Sequence, residues 1–186
     1  MQNILSRWQA SSDFKKPPNN GRLFDTMKKV HGLGRRERLL LQVAAILHDC
    51  GKFISMSAPG ECAYQIIMST EILGISHMER EMVACIVRYN TMELPNFREF
   101  DGKLGNDEYL IVMKLAAILR VCNALDRSHR QKFADMKLTI KDSNIVITTA
   151  YPDNITLEKK TLKDKQDFFE EVYGLGFEIK QKKKKQ

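Results

Sequence analysis

No stretch of the 186-residue chain approaches the roughly 20 consecutive apolar residues that a membrane span requires. The N-terminal MQNILSRWQA brings in polar residues too early for a secretory signal, so a cytoplasmic location without a membrane partner is expected. There is no C-x-x-C. Cys50, Cys62, Cys85 and Cys122 stand 12, 23 and 37 residues apart, each in an apolar helical stretch, which suits reduced core thiols. The 10 glycines are scattered, and nothing has the form of a Gly-rich phosphate loop; Gly32-Leu33-Gly34 ahead of a helix is an isolated cue. No segment repeats. Intrinsic disorder is excluded, because 43% hydrophobic residues are ample for a core in a chain the size of one ordinary domain, or of one domain and a small appendage.

What is present is positive charge, 30 Lys and Arg against 23 Asp and Glu, for a formal +7. Residues 1–52 carry ten basic and four acidic groups, residues 53–179 are net −4, and the closing KQKKKKQ holds five lysines. Residues 181–186 read as a solvated, disordered tail. The first zone sets Lys15, Lys16, Arg22, Lys28, Lys29, Arg35, Arg36 and Arg38 on predicted structure, where a polyanion partner and a plain solvated face are both open readings. Basic and aromatic residues do not interleave in either zone, so nucleic acid is not an expected partner.

The chain up to residue 134 reads as helix after helix. In RRERLLLQVAAILHDCGKF the apolar Leu39, Leu40, Val43, Ile46 and Leu47 recur at helical spacing, and Gly51 closes the run like a C-terminal cap. GRLFDTMKKVHG, CAYQIIMSTEILG, SHMEREMVACIVRYN and DEYLIVMKLAAILRVCNALDRSH predict further helices, with Ser76 and Glu79 forming a capping box. TMELPNFREFDGKLGND is the longest loop. After residue 134 the runs MKLTIKD, NIVITTAY and NITLEKK alternate like short strands between turns at Asp142-Ser143 and Pro152-Asp153, followed by a helix in KDKQDFFEEVYG and an extended GFEIKQ. The expected fold is mainly α: a helical bundle over residues 1–134, then a small α+β appendage over 135–180. Trp8, Phe24, Phe53 and Tyr64 read as core or interface anchors, and His77 and His129 as cap or surface residues.

One dipeptide carries chemistry. His48-Asp49 ends the apolar helix in AAILHDCGK, with side chains about 100° apart, so both reach one metal ion only if other helices set further ligands against that end. Imidazole nitrogen and carboxylate oxygen suit Mn, Fe, Zn or Mg, and a bound metal lowers the pKa of water enough to make a nucleophile for phosphoester hydrolysis. The structural alternative is a histidine packed between helices and bonded to the adjacent carboxylate.

LLQVAAILHDCGKFIS resembles the signature helix of the HD superfamily, whose metal-dependent members hydrolyse phosphate esters and anhydrides. HGLGRRERLLLQ at 31–42, ILGISHMEREMVACIVRYN at 72–90 and LAAILRVCNALDRSHR at 115–130 are together similar to the C-terminal helical domain of the exopolyphosphatase and guanosine pentaphosphate phosphatase family. The likeness extends over about residues 10–180 and implies an HD-like bundle. Departures are equally specific. The family's early His should fall near Ser12 or Asp13, its His-rich stretch is Pro59, Gly60, Glu61 and Cys62 here, Arg-Tyr-His reads Arg88-Tyr89-Asn90, and the late Asp is Asn123. The resemblance thus implies a degenerate site in which His48 and Asp49 are vestigial metal ligands, no cofactor is expected and no residue is catalytic, unless Asp126 or Glu61 compensates.

In the family, release of terminal phosphate from polyphosphate belongs to N-terminal actin-like domains, whose loops this chain lacks. The chain is therefore expected to be either a C-terminal fragment or a stand-alone relative. The implied role is to bind polyphosphate or another polyanion and to support a homodimer. The residues that fit are Arg35, Arg36 and Arg38 at a predicted helix N-terminus, where unpaired N–H groups also favour phosphate, with Lys52, Arg88, Arg127 and Arg130, joined by Arg120. The opposing reading is a solvated face with Arg127 paired to Asp126 or Glu93. The functional alternative is a stand-alone metal-dependent HD phosphohydrolase acting on a nucleotide or phosphate ester, with Mn, Fe, Mg or Zn bound.

Overall fold

A computed structural model of the chain describes residues 19–100, 104–128 and 130–182. Trp8, Lys15, Lys16, His129, Ser12, Asp13 and the lysines after Lys182 lie outside the described residues. The elements in order are α1 (Asn19–Thr26), α2 (Lys28–His31), α3 (Arg35–Leu47), a 3-10 turn (Cys50–Phe53), α4 (Pro59–Met68), α5 (His77–Arg88), α6 (Asn106–Leu125), β1 (Lys137–Lys141), β2 (Asn144–Thr149), α7 (Thr156–Tyr173) and β3 (Gly176–Gln181). The architecture is mainly α with a small α+β appendage. No helix among the described residues is long and apolar enough to cross a membrane.

The most apolar sequence becomes the centre. α6 buries Val112, Leu115, Ala116, Ala117, Ile118, Leu119, Val121 and Cys122, which leaves it little solvent face, as expected of a helix enclosed by others. α5 buries every residue from Glu81 to Val87 against it. Its start is the expected capping box: the Glu79 N–H donates to Ser76 Oγ and the Ser76 N–H to Glu79 Oε2. In α3 the buried stripe is Leu40, Leu41 and Ala44, while Leu39 is exposed, so the core face is turned from the one the spacing suggested. Phe24 is in the core; Phe53 is not, being 85% exposed.

The appendage differs from its reading at one element. NITLEKK is not a strand, because α7 begins at Thr156 inside it. Asn154 Oδ1 accepts the Thr156 N–H at 2.7 Å, which turns the chain into a helix. Burial of Ile155, Glu158, Leu162 and Phe169 then follows a helical period. The sheet order is β1-β2-β3, with β1 and β2 antiparallel across the Asp142-Ser143 turn and β3 parallel to β2 after the α7 crossover. Asp142 takes φ 51°, as tight hairpin turns demand. Central β2 buries Ile145, Val146 and Ile147 consecutively, the mark of a strand covered on both faces. Phe133, Met136, Ile145, Leu162 and Phe169 belong to the same hydrophobic core as the bundle residues.

Candidate functional site

α3 stops at Leu47 with His48 as its C-cap, still in right-handed helical conformation. Gly51 is not the cap. It lies in the 3-10 turn pressed on the start of α4, where an added Cβ would sit 1.9 Å from the Pro59 carbonyl oxygen and 2.6 Å from the Ala63 nitrogen. The close approach of two backbones excludes a side chain there, and it fixes the direction in which His48, Asp49 and Lys52 project.

His48 Nδ1 lies 2.8 Å from the Ala45 carbonyl oxygen and so carries a proton. Its Nε2 is 3.4 Å from Asp49 Oδ1, and the same carboxylate oxygen receives the Lys52 ammonium at 2.7 Å. Opposite them, Asn123 in the last turn of α6 donates through Nδ2 to Oδ1 of Asn90, just beyond α5, at 3.0 Å. Arg120 holds that wall in place. It donates to the carbonyls of Tyr89 and Met92, and its guanidinium lies 4.2 Å from the centre of the Phe168 ring; burial pushes its pKa down. Asp126, Arg127 and, from α7, Thr161 and Lys165 complete a cleft of about 150 Å³.

The structure therefore brings His48, Asp49, Asn90 and Asn123 together, the positions that the resemblance implied for a metal site. The donor set does not fit a divalent ion. Two positions are neutral amides bonded to each other, and the one carboxylate beside His48 is already paired with an ammonium. Glu61 does not compensate, since it pairs with Arg88 at 2.8 Å away from the cleft. Asp126 lines the cleft, with Oδ1 accepting the Gln131 N–H. Among the described residues no group of three or more His, Cys, Asp or Glu is placed to hold a metal.

The cleft is instead cationic: Lys52, Arg120, Arg127 and Lys165 face two carboxylates, Asp49 and Asp126. Arg127 makes no ion pair with Asp126 or Glu93, and neither Arg127 nor Lys165 has an ion-pair partner among the described residues. The α3 N-terminal arginines are placed elsewhere, about 18 Å along the helix axis from its C-terminal end. Arg36 forks onto Glu79 and Arg38 onto Asp25, while Arg35 is exposed. Glu79, bound first by the Arg36 guanidinium and also by Ser76, is held at about 2. Arg88 lies over the Tyr64 and Tyr89 rings. Arg130 lines a second cavity, of about 250 Å³, with Lys132, Tyr151 and Asp153. His77 opens α5 and contacts Arg80, a surface role.

Lys165 and Thr161 were missed in the sequence. The signal was their i, i+4 spacing with Leu157 on one helix face, hidden by reading the start of that helix as a strand.

The family model described as Ppx/GppA phosphatase, domain III, matches residues 19–167. No curated protein matches the chain.

Proposed function

We propose, from the premise that the chain belongs to the Ppx/GppA phosphatase family through its domain III, that it is a non-catalytic module binding polyphosphate or a similar polyanion in the His48 cleft. The observation that carries this reading is the inversion of charge. Where a metal site would gather carboxylates and imidazoles, this cleft has an amide pair and an excess of cations, with Arg127 and Lys165 in no ion pair among the described residues. Such a surface attracts oxyanions and repels divalent cations. No resident metal is part of this reading.

Titration calorimetry with inorganic polyphosphate tests it. Binding is expected at low salt and weakens steeply as salt rises, because displaced counterions dominate the affinity. Arg127→Gln and Lys165→Gln each lower the slope of log K against log salt by about 1. Failure to bind at low salt removes the role. One equivalent of Mn, Fe or Zn that disappears in His48→Ala would instead restore the metal-dependent phosphohydrolase.

Pairing of two copies belongs to the same reading. Phe53, Ile54 and Met56, which follow the cleft residue Lys52 in the chain, are 85%, 70% and 78% exposed, an apolar surface that a second copy would cover. Sedimentation equilibrium reads this directly: a monomer at every concentration ends it.

A further inference from the structure

The second cavity, of about 250 Å³, is framed by the loop between β2 and α7, and that loop is already tied down. Gln181 Nε2 donates to the carbonyls of Tyr151 and Asp153 at 2.8 Å each, and Lys132 Nζ donates to the Asn154 carbonyl at 2.9 Å. Asn154 Oδ1 in turn accepts the Thr156 N–H. These backbone carbonyls are spent on the fold, so a ligand would be recognised by side chains.

Two charges of the lining stay unspent. Lys132 gives its ammonium to Glu158 at 3.0 Å. Arg130 and Asp153 have no ion-pair partner among the described residues, and because they do not pair with each other, more than 4.0 Å separates the guanidinium nitrogens from the carboxylate oxygens. Tyr151 and the 51% exposed Leu157 add apolar surface to the same lining. Leu157 also belongs to the first turn of α7, whose positive end favours a carboxylate.

This combination discriminates against simple ions. A phosphate that met Arg130 would meet the Asp153 carboxylate as well, and a bare cation would meet Arg130, whereas a molecule with both charges is matched at both ends. The volume lies below the roughly 300–1,000 Å³ of sites for drug-sized ligands, which suits a smaller molecule. We infer that the cavity binds a free α-amino acid with an aliphatic side chain, its carboxylate on Arg130, its ammonium on Asp153 and its side chain against Tyr151 and Leu157. The site shares no residue with the His48 cleft, so it stands apart from the polyanion reading.

Calorimetry on the full chain with L-leucine tests it, beside glycine, 3-methylbutylamine, which lacks the carboxylate, and 4-methylpentanoate, which lacks the ammonium. Leucine should bind with one equivalent, and each analogue roughly tenfold or more weakly, for want of a charged bond or of buried apolar surface. Arg130→Gln should cost leucine and 4-methylpentanoate roughly tenfold and leave the amine unchanged, while Asp153→Asn should cost leucine and the amine and spare the acid. Both positions are exposed, so the variants should keep the parent fold, which circular dichroism checks. No leucine binding at millimolar concentration overturns the inference. So does leucine binding that neither variant alters, or pyrophosphate binding that Arg130→Gln weakens while leucine is unaffected, which would make the cavity an anion site. Polyphosphate titrated into Arg127→Gln reports on the cleft separately, so either site can fail alone.

Discussion

His31 shows at the scale of one side chain how histidine, few in this sequence, can be spent on structure. It ends α2 in the interior, stacked 4.2 Å from the Phe24 ring. Its Nδ1 accepts the Leu33 N–H at 2.8 Å, so Nε2 carries the proton and donates to the Phe24 carbonyl at 2.9 Å. Only the neutral ring satisfies both bonds. Burial pushes its pKa below 6.5, outweighing the upward pull of the Phe24 carbonyl, and nearby Lys114 adds to the lowering. The unfolded chain takes up the proton near 6.5 and the folded one resists. Stability is therefore whole above about 6.5 and declines as pH falls from there towards the folded value. Melting midpoints from about pH 8 down to pH 5 should fall in the parent and flatten in His31→Gln, which itself costs about 1–3 kcal/mol for its unpaired neighbours. An identical acid slope in both proteins would assign the effect to other groups. The two bonds of His31 reach positions seven residues back and two residues on, a turn geometry that no periodicity encodes.

Elements were legible where local chemistry decides them. Ser76 and Glu79 announce the start of α5, and Asp142-Ser143 the hairpin, because a cap and a two-residue turn each depend on a few adjacent residues. Glu79 also illustrates what local signals omit, since it serves both its own helix end and Arg36, 43 residues away. NITLEKK failed for the opposite reason. Ile and Thr give it strand propensity, yet Ile155 and Leu162 bury only if the chain winds, and burial outweighs propensity of a few tenths of a kcal/mol per residue. At the site, resemblance identified Asn90 and Asn123 as departures. That the two amides bond to each other follows from how α5 and α6 pack, which their separation of 33 residues does not specify. Arg36 and Arg38 looked like part of a phosphate site by the same local logic, but the fold pairs them with Glu79 and Asp25.

For the whole molecule the question is whether bundle and appendage are separate units, as the change of pattern near residue 134 suggests, or one. Arg22 of α1 donates to the carbonyls of Ala134 and Met136, tying the start of the appendage to the first helix. Across the same seam Lys132, with its side chain 10% exposed, donates to the fully buried Glu158 at 3.0 Å, and Ser128 Oγ donates to the other carboxylate oxygen at 2.6 Å. Burial alone would raise the Glu158 pKa; the Ser128 and Lys132 bonds outweigh it and leave the carboxyl below its ordinary value. Lys132→Met strips the cation from a buried carboxylate, and such a loss costs about 3–5 kcal/mol. Adding Glu158→Leu removes the stranded charge and should return most of that loss, since an apolar pair of similar volume is often neutral or better. With one continuous core, the penalty must appear as a shift of the entire unfolding transition, with far-ultraviolet and near-ultraviolet signals moving together. A variant in which one signal melts early while the other keeps the parent midpoint would mean that the appendage unfolds by itself.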